Sequence, residues 1–239
     1  MKDARELLSS GTGPKAMSFD GSPGGPSTQE ILAALAYVHH GLGRELMEAL
    51  WWPESGARRR EQLRQEVIGL VAPEFTRQMH ALADARTSFG IAKACVGWGG
   101  GQITDRQRRE LLRTEQALDD ARAAAWPNNT MEQLGVLAAA VMDEMAGRCE
   151  CPGCGGKKVV ADPDVVGAVK CSRCAGSGYD PFSGRRRAAA IGADCSAYSR
   201  FWRPVYEWML ASFSAAEARA VVQFNKALTQ AAYRAQPKR

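Results

Sequence analysis

Cys151-Pro152-Gly153-Cys154 and, after sixteen intervening residues, Cys171-Ser172-Arg173-Cys174 decide how this chain is read. Each Cys-x-x-Cys hook sets two thiolates on one tight turn, and two hooks close a tetrahedral shell around one metal. Gly153, Gly155, Gly156, Gly176 and Gly178 let the backbone curl around the ion. No His or carboxylate stands at ligand spacing within the loop, so the expected site is one structural Zn2+ held by Cys151, Cys154, Cys171 and Cys174, with no open position. Cys149 could compete with Cys151, but Cys151 has the hook spacing with Cys154. The zinc thus staples a small lobe, and function must be sought in what surrounds it.

The 239 residues can bury one sizeable core plus such a lobe. No apolar run of membrane-spanning length occurs and the first ten residues are charged where a signal peptide is apolar, so an intracellular protein without a membrane partner is expected. In that compartment the seven cysteines read as ligands and free thiols. Cys95, in an apolar helix, is expected to be buried, and Cys195 is a spare thiol. The net charge of +5 gathers in clusters. Arg58–Arg60 and Arg106, Arg108, Arg109 and Arg113 are interleaved with acids and read as solvated helix faces. Arg185, Arg186 and Arg187 have no acidic neighbour downstream until Asp194. With Lys157 and Lys158 in the zinc loop, they are candidates for phosphate backbones.

Around the lobe the spacing is helical, and no internal repeat is read. A Ser/Gly/Pro-rich arm (1–28) precedes a helical scaffold (29–148), the zinc lobe (149–182) and a C-terminal segment (183–239). Ser27 to Glu30 reads as a capping box, as does Ser214 to Glu217 before a last helix. Thr104 and Thr130 read as caps, Pro73 as a stop and Gly147 as a helix end. Alternation at Lys158–Val160 and Val165–Val169 predicts a short hairpin across the zinc loop. Arg187 to Phe201 fits a helix-turn-helix. Ala188 allows close approach, Gly192 makes the turn, and Ile191, Tyr198 and Phe201 pack the second helix on the first. The second helix would then present Asp194, Ser196, Ser199 and Arg200 to DNA, with Arg203 on its flank. Pro204 either kinks that helix or starts a new one. Trp202, Tyr206 and Trp208 read as core. The fold class is all-α: a helical bundle with a helix-turn-helix and an inserted four-cysteine zinc-binding hairpin. His39, His40 and His80 lack partners at interpretable spacing and Gly99–Gly101 lacks a following Lys-Ser/Thr, so no enzyme is expected.

These residues resemble the Q transcription antiterminators of lambdoid phages. The likeness runs in order through Pro14-Lys15, Glu30 to Ala34, Phe89 to Cys95, Thr130 to Met145, the hooks with Cys171 to Tyr179, and Tyr198 to Tyr206. An insertion of about forty residues from His40 to Ala83 and the extra thiol Cys149 depart from the family's pattern. The resemblance implies a factor that binds double-stranded DNA near a phage late promoter. There it engages paused bacterial RNA polymerase at its flap region and sigma factor, in the host bacterial cytoplasm, and carries it past terminators. Two rivals stand beside it. A DnaJ-like protein-binding zinc module shares the Cys-x-x-Cys-x-Gly-x-Gly hook, and a plain repressor shares only the DNA binding.

Overall fold

A computed structural model describes residues 28–51, 57–97, 103–147, 151–161, 168–176 and 178–235. The N-terminal arm, Cys149 and the Ser27 cap lie outside them. In chain order the elements are α1 (Thr28–Ala36), α2 (Leu42–Trp51), α3 (Ala57–Gly97), α4 (Asp105–Ala124), α5 (Leu134–Ala146), β1 (Val159–Ala161), β2 (Ala168–Lys170), α6 (Gly184–Ala190), α7 (Cys195–Ala197) and α8 (Arg203–Ala235). The fold is mainly helical, and its described sheet is one antiparallel pair that sets Val160 opposite Val169.

The core lies where α2, the start of α3, α5 and α8 converge. Leu46, Val67 and Val71 meet Leu137, Val141 and Met145 of α5 and Tyr206, Met209 and Phe213 of α8. Burying each of these large apolar side chains contributes about 1.5–3 kcal/mol. The segment from His40 to Ala83 therefore supplies Leu46, Leu63, Val67 and Val71 to the core. Gly43 marks how closely α2 crosses α8, because a Cβ there would come within 2.4 Å of the Ala216 carbonyl oxygen. A second cluster seats Ile31 and Leu35 of α1, and Val38 just beyond it, with Phe224 of α8. Trp126 then meets Trp208 edge-on at 4.9 Å, tying the end of α4 to the body.

Three helix boundaries differ from the sequence expectation. Pro73 does not stop α3, which runs through it for 41 residues. A proline inside a helix removes one ladder bond and crowds the carbonyl four residues back. Packing offsets that cost, because the apolar stripe continues on both sides, from Val67 and Val71 to Phe75. Ser214 does not start a helix, since α8 is continuous from Arg203 to Ala235. Its supposed capping partner Glu217 is buried and accepts a hydrogen bond from Trp51 Nε1 at 3.1 Å. Thr130 donates to the Pro127 carbonyl, and α5 begins only at Leu134. Pro204 falls in the first turn of α8, which starts at Arg203, as the second of its two readings had it. The turn Tyr198–Trp202 is π-helical, and Arg203 N–H donates to the Tyr198 carbonyl. The helix is widened just where proline would otherwise collide with its own ladder. Thr104, by contrast, forms the full capping box with Gln107, and Gly147 ends α5 as read.

Beyond the core, α3 and α4 leave the body as an antiparallel helical arm. Val71, Phe75, Gln78, Leu82, Ala85, Phe89, Ala92 and Val96 line its α3 seam at alternating spacings of four and three. Gln107, Leu111, Thr114, Leu118 and Ala121 do so on α4, all buried or half-buried. Such spacing is the seam of a coiled coil.

Candidate metal centre and the adjoining basic face

The sulfurs of Cys151, Cys154, Cys171 and Cys174 all lie within 4.8 Å of one another and are buried. Cys151 and Cys171 are 3.9 Å apart, and Cys154 and Cys174 are 3.8 Å apart. Thiolates at the corners of a tetrahedron about 2.3 Å from a central zinc stand about 3.8 Å from each other. The cluster is thus dimensioned for one four-coordinate ion.

The two hooks are a structural repeat with an offset of twenty residues, which the sequence reading missed because only the cysteines and one glycine match. Left-handed backbone occurs at Gly155, Gly156 and Lys158 in the first hook and at Ala175, Gly176 and Gly178 in the second. The exchange between them is reciprocal. Cys151 N–H donates to the Gly178 carbonyl at 2.9 Å, and Cys171 N–H to the Lys158 carbonyl at 3.0 Å. Gly178 is obligatory in this arrangement. Its φ is +85°, and a Cβ would stand 2.8 Å from the Gly156 carbonyl oxygen. Gly178 N–H also donates to Cys174 Sγ at 3.3 Å. Burial opposes ionisation of Cys174, but the N–H groups of Gly178 and Gly176 and the neighbouring thiols outweigh it and hold its pKa down to about 6. Burial comes first among the causes that push Cys154 up to about 11. Metal binding requires the thiolates and so displaces the thiol protons.

The lobe leaves and re-enters the body at one place. A Cβ on Gly147 would lie 3.2 Å from the Phe182 ring, and Phe182 N–H donates to Glu144 Oε1 at 3.3 Å. Glu144 also accepts from Arg187 Nε and a terminal guanidinium nitrogen at 2.8 and 2.6 Å, and from the Tyr206 hydroxyl at 2.9 Å. This buried junction fastens α5, the lobe exit, α6 and α8 together. It corrects the reading of Arg187, whose buried side chain is committed to Glu144 and leans over the Tyr206 ring. Unlike Arg185 and Arg186, Arg187 is not exposed to solvent. A sequence cannot show a partner 43 residues away, so Glu144 was also missed.

The other basic candidates are exposed. Arg185, Arg186, Lys157 and Lys158 reach solvent, with the Arg186 guanidinium 3.4 Å above the Phe182 ring centroid. Ser183 caps α6 through Arg186 N–H. The chain then turns at Gly192, and Asp194 caps the next helix through Ala197 N–H at 2.8 Å. Asp194 is therefore occupied by its own backbone rather than offered to a base edge. Ser196, Ser199, Arg200 and Arg203 are exposed on the first turns of that helix, although Arg203 is paired with Glu207 at 2.9 Å. Tyr198 is buried against the core as read, whereas Phe201 is 51% exposed. Cys95 is exposed rather than buried, because the α3–α4 seam runs through Ala92 and Val96 instead.

A cleft of about 790 Å³ lies between the lobe and α8, lined in part by Lys158, Arg173, Tyr179, Ser199, Arg203 and Glu207. Arg173, also missed, is held in place by a 3.1 Å ion pair with Asp180. Arg113 pairs with Glu110 at 2.6 Å, in keeping with a solvated face on α4. Among the described residues no helix is long and apolar enough to cross a membrane. Compared with known proteins, the chain matches no family model, no curated protein and no solved structure.

Proposed function

We propose that this chain is a DNA-binding transcription antitermination factor of the lambdoid phage Q type. In this reading one structural zinc on Cys151, Cys154, Cys171 and Cys174 holds the lobe against the helices that meet DNA. The observation that carries the reading is the arrangement around the lobe exit. An exposed basic strip (Lys157, Lys158, Arg185 and Arg186) adjoins a short helix, a turn at Gly192 and a second helix whose first turns expose Ser196, Ser199, Arg200 and Arg203. Charged donors of this kind position a protein on phosphates, and the side chains of a second helix's first turns read base edges. The helix-turn-helix reading rests on this local order and on the family resemblance of Tyr198 to Tyr206. Among the described residues the site has no nucleophile–base pair, and a four-thiolate centre would leave no position for a substrate, which favours a binding role over catalysis.

Binding partners separate this reading from its rivals. The zinc-loaded full chain should retain duplex DNA carrying the cognate late promoter and should capture RNA polymerase holoenzyme paused on it. A plain repressor would bind the DNA and leave polymerase behind. A DnaJ-like module would instead retain unfolded polypeptide and ignore the duplex. Either result would reject the proposal.

A further inference from the structure

The α3–α4 arm leaves one face of α4 exposed along its length. Its root is fixed to the body through Trp126, whose N–H donates to Gln78 Oε1, while α4 otherwise packs along α3 and makes no more than marginal contact with other described elements. The arm carries its charge unevenly. The outer half holds Arg86, Lys93, Arg106, Arg108, Arg109 and Arg113 against Asp105 and Glu110. The inner half holds Glu74, Asp84, Glu115, Asp119 and Asp120 against Arg77 and Arg122. A helix of 20 residues such as α4 is about 30 Å long, so the two poles are separated by more than the screening length of physiological salt.

One stripe of α4 displays the same change of sign. Arg108, Leu112, Glu115 and Asp119 follow one another at spacings of four, three and four, and so share a face; all four are exposed. Leu112, at the point where the charge reverses, is 59% exposed and contributes nothing to the α3–α4 seam. Arg108 and Glu115 make no ion pair with any described residue, and Asp119 has only an exposed 3.1 Å pair with Arg122 of its own helix, a contact worth little in water. Turned end for end, such a stripe sets its basic end, Arg108, against its acidic end, Asp119, and brings Leu112 level with Glu115 and next to the second Leu112. We propose that two arms associate antiparallel about a two-fold axis through this stripe. Arg108 of each copy then meets Asp119 of the other, and the two Leu112 side chains meet beside the axis. A two-fold interface of this kind counts each favourable contact twice. A nucleic acid would match only the basic outer half and would leave Leu112 and the acidic half unaccounted for.

Sedimentation equilibrium of the zinc-loaded full chain tests the pairing. At low salt the mass should be twice the 25.9 kDa of one chain, falling toward the monomer near 1 M salt, where screening reaches about 3 Å. Arg108→Glu with Arg109→Glu, and separately Asp119→Lys with Asp120→Lys, should each raise the dissociation constant at least about tenfold. All four positions are exposed, so both variants should keep the parent's thermal stability. Mixed in equal amounts, the two variants should restore the dimer, because each reversed pole then faces a reversed partner. A wild-type monomer at about 100 μM, that is, with any dissociation constant far above the micromolar range, overturns the proposal. So do variants that both still dimerise, or a mixture that stays monomeric.

Discussion

Gly178 shows how much of the lobe depends on single atoms. Its left-handed backbone delivers one N–H to Cys174 and one carbonyl to Cys151, and no side chain fits between it and Gly156. Gly178→Ala should cost the lobe about 1–3 kcal/mol, read as a lower chelator concentration for metal loss. The ligands themselves give a sharper result. Cys154→Ser should abolish stoichiometric metal binding, whereas Cys149→Ser should leave one zinc per chain by elemental analysis. Two zincs, or retention of metal by Cys154→Ser, would reject the four-thiolate assignment. Arg187 illustrates the opposite case, in which a residue type misleads. Three consecutive arginines look alike on paper, but only the third reaches a buried carboxylate.

At the scale of elements, the Glu144–Arg187–Tyr206 junction decides whether α6 and the lobe stay on the body. Arg187→Met alone leaves Glu144 as an uncompensated buried charge and should cost about 3–5 kcal/mol in denaturant unfolding. Adding Glu144→Gln removes the charge and keeps a carbonyl acceptor for Phe182 N–H. It turns an NH2 toward the Tyr206 hydroxyl, which can still donate to the Ala140 carbonyl, so it should recover most of that loss. If Arg187→Met instead weakens DNA binding with stability unchanged, the junction has been misread. Burial, and then the Glu144 carboxylate, raise the pKa of the Tyr206 hydroxyl well above its ordinary 10.0. The folded chain therefore holds that proton more tightly than the unfolded chain. The associated stability is whole below pH 10 and is lost as pH climbs toward the raised value. Tyr206→Phe should be less stable at neutral pH yet show a shallower decline above pH 10, measured by urea midpoints across the alkaline range.

How far these elements could be read from the chain follows from the strength of each local signal. The hooks, the Thr104 capping box and the Gly147 stop are short-range chemistry, and the structure keeps them. Pro73 and Ser214 are equally local signals but lose to packing, since the stripes of α3 and α8 bury apolar residues on both sides of them. The coiled-coil arm was overlooked although its spacing is regular, because Gln78, Ala85, Ala92, Gln107 and Thr114 in its seam are weakly apolar or polar. The Glu144–Arg187 pair could not be read at all, since the long zinc loop separates its partners in sequence.

On the scale of the whole molecule, the DNA-contacting face proposed above takes up only the lobe and the α6–α8 turn. The α3–α4 arm and the core to which α2 and the start of α3 contribute are more protein than DNA occupancy requires. A factor that must pass from a DNA site onto a moving polymerase needs a second working surface, whereas a repressor does not. Substitutions on exposed positions between Thr104 and Met145 should therefore include some that abolish terminator readthrough while promoter affinity and thermal stability stay at parent levels. If every loss of readthrough tracks one of those two quantities, these helices only support the reader. The measurement that bears most directly on the central claim is transcription in vitro from the cognate late promoter through a downstream terminator, with and without the zinc-loaded chain. The account predicts full-length transcript that rises with protein concentration and is lost with Cys154→Ser. Unchanged termination, with the chain folded, metal-loaded and bound to its promoter DNA, would contradict it.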